Sequence, residues 1–223
     1  MARIARVVIP RLPHHVTQRG NRRQDVFFSD GDYRHYLDLL SHHAGEAGTE
    51  IWAYCLMPNH VHLMLLPDDE DGLHNTLQEA HRRYTRHINT QKGWKGNLWQ
   101  GRFASCPMDE RHMLAAARYV ELNPVLAGLT RRAEDWRWSS ARAHLAGEND
   151  GVVRVTPLLE ARPDWPAFLA QGLADDEAAA IRGGERTGRP LGSESFLQDL
   201  ETQTGRTLRK GKPGRKNRRP QKI

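Results

Sequence analysis

Met57-Pro58-Asn59-His60-Val61-His62-Leu63-Met64-Leu65-Leu66 is the stretch from which the fold can be read. A run of aliphatic residues bounded by Pro-Asn predicts a strand entered from a tight turn or bulge. Successive side chains of a strand point to opposite faces, so His60 and His62 share one face while Val61, Leu63 and Leu65 point the other way into a core. The histidine pair admits two readings. Neutral imidazole is the commonest protein ligand for divalent ions, and two residues cannot fill a coordination shell, so a metal site here needs a third ligand from elsewhere. Alternatively, one histidine is hydrogen-bonded in the core and the other is exposed.

Moving outward, Ile51-Trp52-Ala53-Tyr54-Cys55-Leu56 reads as the preceding strand of a hairpin. Upstream of it, Tyr33, Tyr36, Leu37, Leu40 and Ala44 recur at helical spacing, with Gly45 and Gly48 expected to end the helix. Before that helix, His14-His15-Val16-Thr17-Gln18-Arg19 predicts a first strand running into a basic turn with Arg22 and Arg23. Downstream, Leu73, Leu77, Ala80, Tyr84 and Ile88 mark a second amphipathic helix, which also carries Arg82 and Arg83. Leu98-Trp99-Gln100-Gly101-Arg102-Phe103 is expected to be the fourth strand. Strand, helix, strand, strand, helix, strand is the order of a ferredoxin-like unit. The expected class is therefore α+β: an antiparallel sheet with two helices on one face, the histidine strand central, then one more helix and a C-terminal extension.

That further helix spans Asp109 to Asn123, with acids at its start and Pro124 expected to stop it. Tyr119 and Asn123 are four residues apart and so lie on one face, while Glu121 points elsewhere. If the helix covers the histidine face, the Asn123 oxygen completes the ligand set and Tyr119 sits beside the ion. A phenol with an ordinary pKa near 10 needs help to attack. A divalent ion on a phosphate oxygen provides it, which points to phosphodiester transesterification through a covalent phosphotyrosine. No Ser-His-Asp arrangement or Walker-type glycine loop suggests another chemistry.

Composition fits a protein that acts on a polyanion. The 223 residues are 38% hydrophobic and 27% charged, with a net charge of +6. Residues 1–145 hold 19 Lys and Arg against 16 Asp and Glu, residues 146–205 hold 5 against 11, and residues 206–223 hold 9 against none. The basic tail, expected to be disordered, would be drawn to nucleic acid. No apolar run is long enough to span a membrane, and no signal-like segment is visible. The two cysteines, Cys55 and Cys106, suggest neither a disulfide scaffold nor a zinc pair. A cytoplasmic, nucleoid-associated protein is expected.

Taken together, HHVTQRGN, AYCLMPNHVHLML, LWQGRF, RYVELNPV, WRWSS and GRPLGS resemble, in order, the blocks of the REP-associated tyrosine transposases, a branch of the single-tyrosine HUH (His-hydrophobic-His) transposases. The resemblance implies His60 and His62 as metal ligands, Tyr119 as nucleophile, Asn123 as third ligand, and Mg²⁺ or Mn²⁺ as the ion. It implies cleavage and rejoining of single-stranded DNA at hairpin-forming palindromic repeats, with a 5′-phosphotyrosine and a free 3′ hydroxyl. Leu126 departs from the pattern, since relatives often carry NPVRAGL where this chain reads NPVLAGL. Candidate DNA contacts are Arg19, Arg22, Arg23, Arg82, Arg83, Arg102, Arg189, Arg215 and Lys216. Expected domains are a catalytic unit over 1–145, a helical accessory extension over 146–205 and the tail over 206–223. Monomer and homodimer both remain open, and a hairpin-binding regulator that does not cut is the alternative function.

Overall fold

The computed structural model describes residues 4–209. Its centre is a four-stranded antiparallel sheet in the order β2-β3-β1-β4, made of β1 (His14–Arg19), β2 (Thr49–Met57), β3 (His60–Pro67) and β4 (Ala104–Pro107). The histidine strand β3 is central, between its hairpin partner β2 and β1. This is the ferredoxin-like order expected from the sequence.

Alternation along β3 decides which layer lies on which side. Val61, Leu63 and Leu65, with Val16 of β1, are wholly buried against α1 (Asp30–Glu46) and α2 (Gly72–Lys92), where Tyr36, Leu40, Leu77, Tyr84 and Ile88 complete the core. Ser29 caps α1 by accepting from the Asp32 N–H. Gly45 lies inside the last turn of that helix rather than ending it; Gly48, at φ +58°, supplies the left-handed residue two positions after the helix.

Met64, with Ala53, Cys55 and Met57 of β2, faces the opposite way and packs under α3 (Glu110–Leu126). Asp109 caps α3 through the His112 N–H. Pro124 does not stop this helix, which runs on to Leu126. A proline lacks one N–H, and in the final turn that removes one hydrogen bond instead of breaking a ladder. The Ala127 N–H still reaches the Asn123 carbonyl.

The fourth strand also differs from expectation. Leu98 and Trp99 are buried against the α1/α2 core, and Trp99 makes a single bridge to Gly20. Gly101, at φ +64°, breaks the extended run, and pairing with β1 resumes only at Ala104.

After α3 the chain wraps back over it through α4 (Ala141–Ala146), α5 (Thr156–Ala161), α6 (Trp165–Ala170), α7 (Asp175–Thr187) and α8 (Glu194–Thr204). Glu121 holds this wrap together. Its buried carboxylate accepts from Ser140 Oγ at 2.6 Å, His144 Nδ1 at 2.6 Å and Trp165 Nε1 at 2.8 Å. Three donors satisfy a charge that would be costly to bury alone. Trp138 stacks on Tyr33 at 4.7 Å, and Trp136 donates to the Leu56 carbonyl, so both pack the fold.

The extension closes on the N-terminal segment: Val7 and Ile9 form a small core with Leu200 and Leu208. Arg206 donates to the carbonyls of Ala5 and Arg6, so the first residues of the basic segment belong to the fold. Arg215 and Lys216 lie outside the described residues. Among the described residues, no helix is long and apolar enough to cross a membrane.

Candidate active site on the histidine face of the sheet

The β1–β3 register pairs Arg19 with His60, Thr17 with His62 and His15 with Met64. Residues directly opposite share a face, which sets His15 diagonally beside His62. The two rings stack with centroids 5.3 Å apart, and His15 Nε2 is 3.1 Å from His62 Nδ1. His60 and His62 stand side by side with centroids 4.8 Å apart.

Helix α3 brings Tyr119 over this platform. Its ring lies edge-on to His62 at 5.4 Å and to His15 at 6.0 Å. Asn123, one turn further on, is buried on the same helix face, where its side chain works to lower the Tyr119 phenol's pKa. The helix therefore covers the histidine face and turns Tyr119 and Asn123 together, while Glu121 faces the extension.

A third element reaches the same place. Helix α7 packs across β4 and β1, where a Cβ on Gly184 would lie 3.0 Å from Cys106 Sγ; the glycine permits this close approach. The next residue, Glu185, has its Oε1 3.4 Å from His62 Nδ1 and 3.8 Å from His15 Nε2. Arg182 and Arg186, one on each side of Glu185, join Arg19, Arg23 and Gln100 around a cavity of about 610 Å³ that opens on His60 and His62.

Burial sets the protonation states. Loss of water lowers His15 to about 4, and burial with the Arg19 charge lowers His60 to about 3. His62 is pushed well below the ordinary range by burial, then by His60, His15 and Arg19. All three imidazoles are neutral at neutral pH, the form that binds metal. His60 Nδ1 is 2.6 Å from the Asn59 side-chain oxygen, so it carries the proton and leaves Nε2 as the lone-pair nitrogen.

Burial raises Glu185 to about 7 against the pull of Arg19 and Arg182. Facing neutral rings, it makes polar contacts there, not fixed ion pairs. Burial, then Glu185, raise the Tyr119 phenol; Arg182, the Asn123 side chain and Arg19 oppose them. Glu185 Oε1 and His62 Nε2 are buried without a hydrogen-bond partner, and His15, His62 and Glu185 each bring a ligand-type atom within 4.8 Å of the others, so these residues fit a divalent ion.

The arginines singled out in the sequence divide by position. Arg19 borders the cavity. Arg22 and Arg23 follow in an exposed turn at φ 55° and 62°. That turn is pinned next to His60, because the Gly20 N–H donates to Asn59 O and the Val26 N–H to Pro58 O. A Cβ on Gly20 would sit 2.3 Å from Gln24 O, so only glycine fits there. Arg102 is exposed after Gly101. Arg189 is spent internally, donating to the carbonyls of Leu208 and Arg209. Arg82 and Arg83 lie on α2, beyond the opposite face of the sheet, paired with Glu79.

Sequence reasoning missed His15, Arg182, Glu185 and Arg186. The register that sets His15 beside His62 has no signature in either strand alone, and α7 sits in the stretch expected only as a helical accessory extension.

The profile of the IS200-like transposases matches residues 9–123, just over half of the chain. Among solved structures, the chain is similar to a REP-associated tyrosine transposase bound to a REP hairpin, with a TM-score of 0.57 and 22% identity over 70% of this chain and 90% of that one. It is also similar to a candidate transposase from Deinococcus radiodurans R1, with a TM-score of 0.39 and 22% identity over 57% of this chain and 97% of that one. No curated protein matches. The matched segment runs from the strand that carries His15, through the His60–His62 strand, to the Tyr119–Asn123 face of α3, and on that match the chain belongs to the IS200-like transposase family.

Proposed function

We propose that this transposase cuts and rejoins single-stranded DNA at hairpin-forming palindromic repeats, with Tyr119 as nucleophile and a covalent 5′-phosphotyrosine as intermediate. The observation that carries the reading is the buried edge-on placement of Tyr119 over His62, with Asn123 one helical turn away on the same face of α3. A structural or purely DNA-binding surface has no need of that arrangement beside neutral imidazoles.

Bound Mg²⁺ or Mn²⁺, held by His60, His62 and Asn123, would supply Lewis-acid stabilisation of charge on the scissile phosphate. The chain's own residues do the rest. The Tyr119 oxygen forms a bond to phosphorus as the bond to the 3′ oxygen breaks. The phenol proton is lost, the 3′ oxygen leaves as a hydroxyl, and the phosphate stays on the 5′ end of the downstream strand. Attack by a 3′ hydroxyl on the phosphotyrosine reverses the step and rejoins DNA. The charges of Arg182 and Arg19 and the polar side chain of Asn123 favour the phenolate that must develop. Phosphate contacts by Arg19, Arg22 and Arg23 are supported by their position beside the His60 end of the sheet.

Hairpin DNA as the partner is supported by the similar transposase that was solved on a REP hairpin. The test is a denaturing gel of protein mixed with labelled single-stranded hairpin DNA from the flanks of its own gene. A labelled band at the protein's mass is expected with Mn²⁺ or Mg²⁺ and is lost with chelator and in Tyr119→Phe. A shifted complex on a native gel without any covalent band would replace this reading by a hairpin-binding regulator.

A further inference from the structure

Helix α7 lies outside the segment that matches the family, yet it returns to the sheet and sets one carboxylate against the histidine face. Three ligand-type atoms meet there. His15 Nε2 and His62 Nδ1 are 3.1 Å apart, and Glu185 Oε1 is 3.4 Å from the second and 3.8 Å from the first. Donors that each lie about 2.1 Å from one ion stand about 3.0 Å apart at a right angle and about 3.4 Å apart at the tetrahedral angle. Two of the three spacings fall in that range, and the His15–Glu185 edge is wider at 3.8 Å.

Two other observations point the same way. Glu185 Oε1 is buried with no hydrogen-bond partner, although a carboxylate oxygen normally finds one when it loses water. Gly184 also lets α7 come down onto Cys106, so the approach of the carboxylate is set by backbone packing and not by a freely swinging side chain. Among the described residues the carboxylate's close contacts are with His15 and His62, and not with Arg182 or Arg186.

We infer that Glu185, His62 through its Nδ1 and His15 form a divalent-ion site on the histidine face, so that the C-terminal extension supplies one of its ligands. A carboxylate with imidazoles suits a borderline-hard ion of the Mn²⁺ type. The inference rests on the reading of His62 as a metal ligand, and the carboxylate it brings in comes from a part of the chain that the family match does not include. Metal loading then ties α7 to the sheet.

The test is a titration of Mn²⁺ alone into the full-length, DNA-free protein, with free Mn²⁺ followed by electron paramagnetic resonance and the thermal midpoint measured in parallel. Glu185→Gln and His62→Ala are each expected to weaken Mn²⁺ binding at least about tenfold. Glu185→Asp keeps the charge and should fall between Glu185→Gln and wild type. Glu177→Gln, on the same helix but paired with Arg118, should bind as wild type and serves as the folding control. The wild-type midpoint should rise with Mn²⁺ and that of Glu185→Gln should not. Wild-type affinity in Glu185→Gln alongside weakened binding in His62→Ala would overturn the inference and leave the histidine site standing. Wild-type affinity in both would overturn the metal reading itself.

Discussion

On one side of β3, Val61, Leu63 and Leu65 are sealed against two helices by aliphatic and aromatic side chains; on the other, His60 and His62 face an arginine-lined cavity, a tyrosine and a carboxylate. The two sides are one residue apart in sequence. Burial on the first side removes apolar surface from water and stabilises the fold. Burial on the second strips water from imidazoles and a phenol, which costs stability but leaves neutral nitrogens and a positioned hydroxyl. On the proposed reading, this strand contributes Val61, Leu63 and Leu65 to stability and His60 and His62 to chemistry, on a platform held rigid by the well-packed first side.

Substitutions on the two sides should separate these roles most strongly. Leu63→Ala is expected to cost about 2–5 kcal/mol in urea unfolding, while adduct formation per folded molecule persists. Tyr119→Phe should cost less than about 1.5 kcal/mol and remove the adduct altogether. If Leu63→Ala lost the adduct while still folded, or Tyr119→Phe unfolded the protein, the division between faces would be wrong.

A smaller effect concerns pH. The folded chain holds His14 and His15 at about 4 and His81 at about 3, all below the ordinary 6.5. Below about pH 6.5 the unfolded chain takes up protons that these buried rings refuse, so stability should fall progressively toward pH 4. Glu185 acts in the other direction: raised to about 7 from 4.5, it holds a proton in the folded state, so its contribution declines as pH rises through that interval. His60 and His62 are lowered in the same way, so with five buried histidines against one raised carboxyl, metal-free protein should gain stability from pH 4 to 6.5, as read by urea unfolding at each pH. A flat profile would mean that the rings are not buried in neutral form.

Smallest are the effects of surface arginines. Arg22→Ala or Arg23→Ala should weaken hairpin binding and reduce the slope of log affinity against log salt by about one per lost phosphate contact. Arg82→Ala and Arg83→Ala, beyond the other face and paired with Glu79, should leave the slope unchanged. The reverse ranking would place the DNA on the α2 side.

Much of this comparison was readable before the structure. Period-two alternation assigned Val61 and His62 to opposite faces, and helical spacing put Tyr119 and Asn123 together. What the sequence hid was tertiary. Gly101 displaced the fourth strand to Ala104, because a left-handed residue interrupts pairing that residue types alone would allow. Pro124 was accommodated because it falls in a last turn with few bonds left to lose. His15 and Glu185 reach the site through strand register and a returning helix, neither of which leaves a local pattern.

The most direct test of the Tyr119 assignment is to form the adduct with hairpin DNA, digest DNA and protein, and locate the attached nucleotide by mass spectrometry. The account predicts added nucleotide mass on the tryptic peptide Tyr119–Arg131, localised to Tyr119, its only tyrosine. A nucleotide on any other residue, or cleaved DNA with no modified peptide, would contradict it.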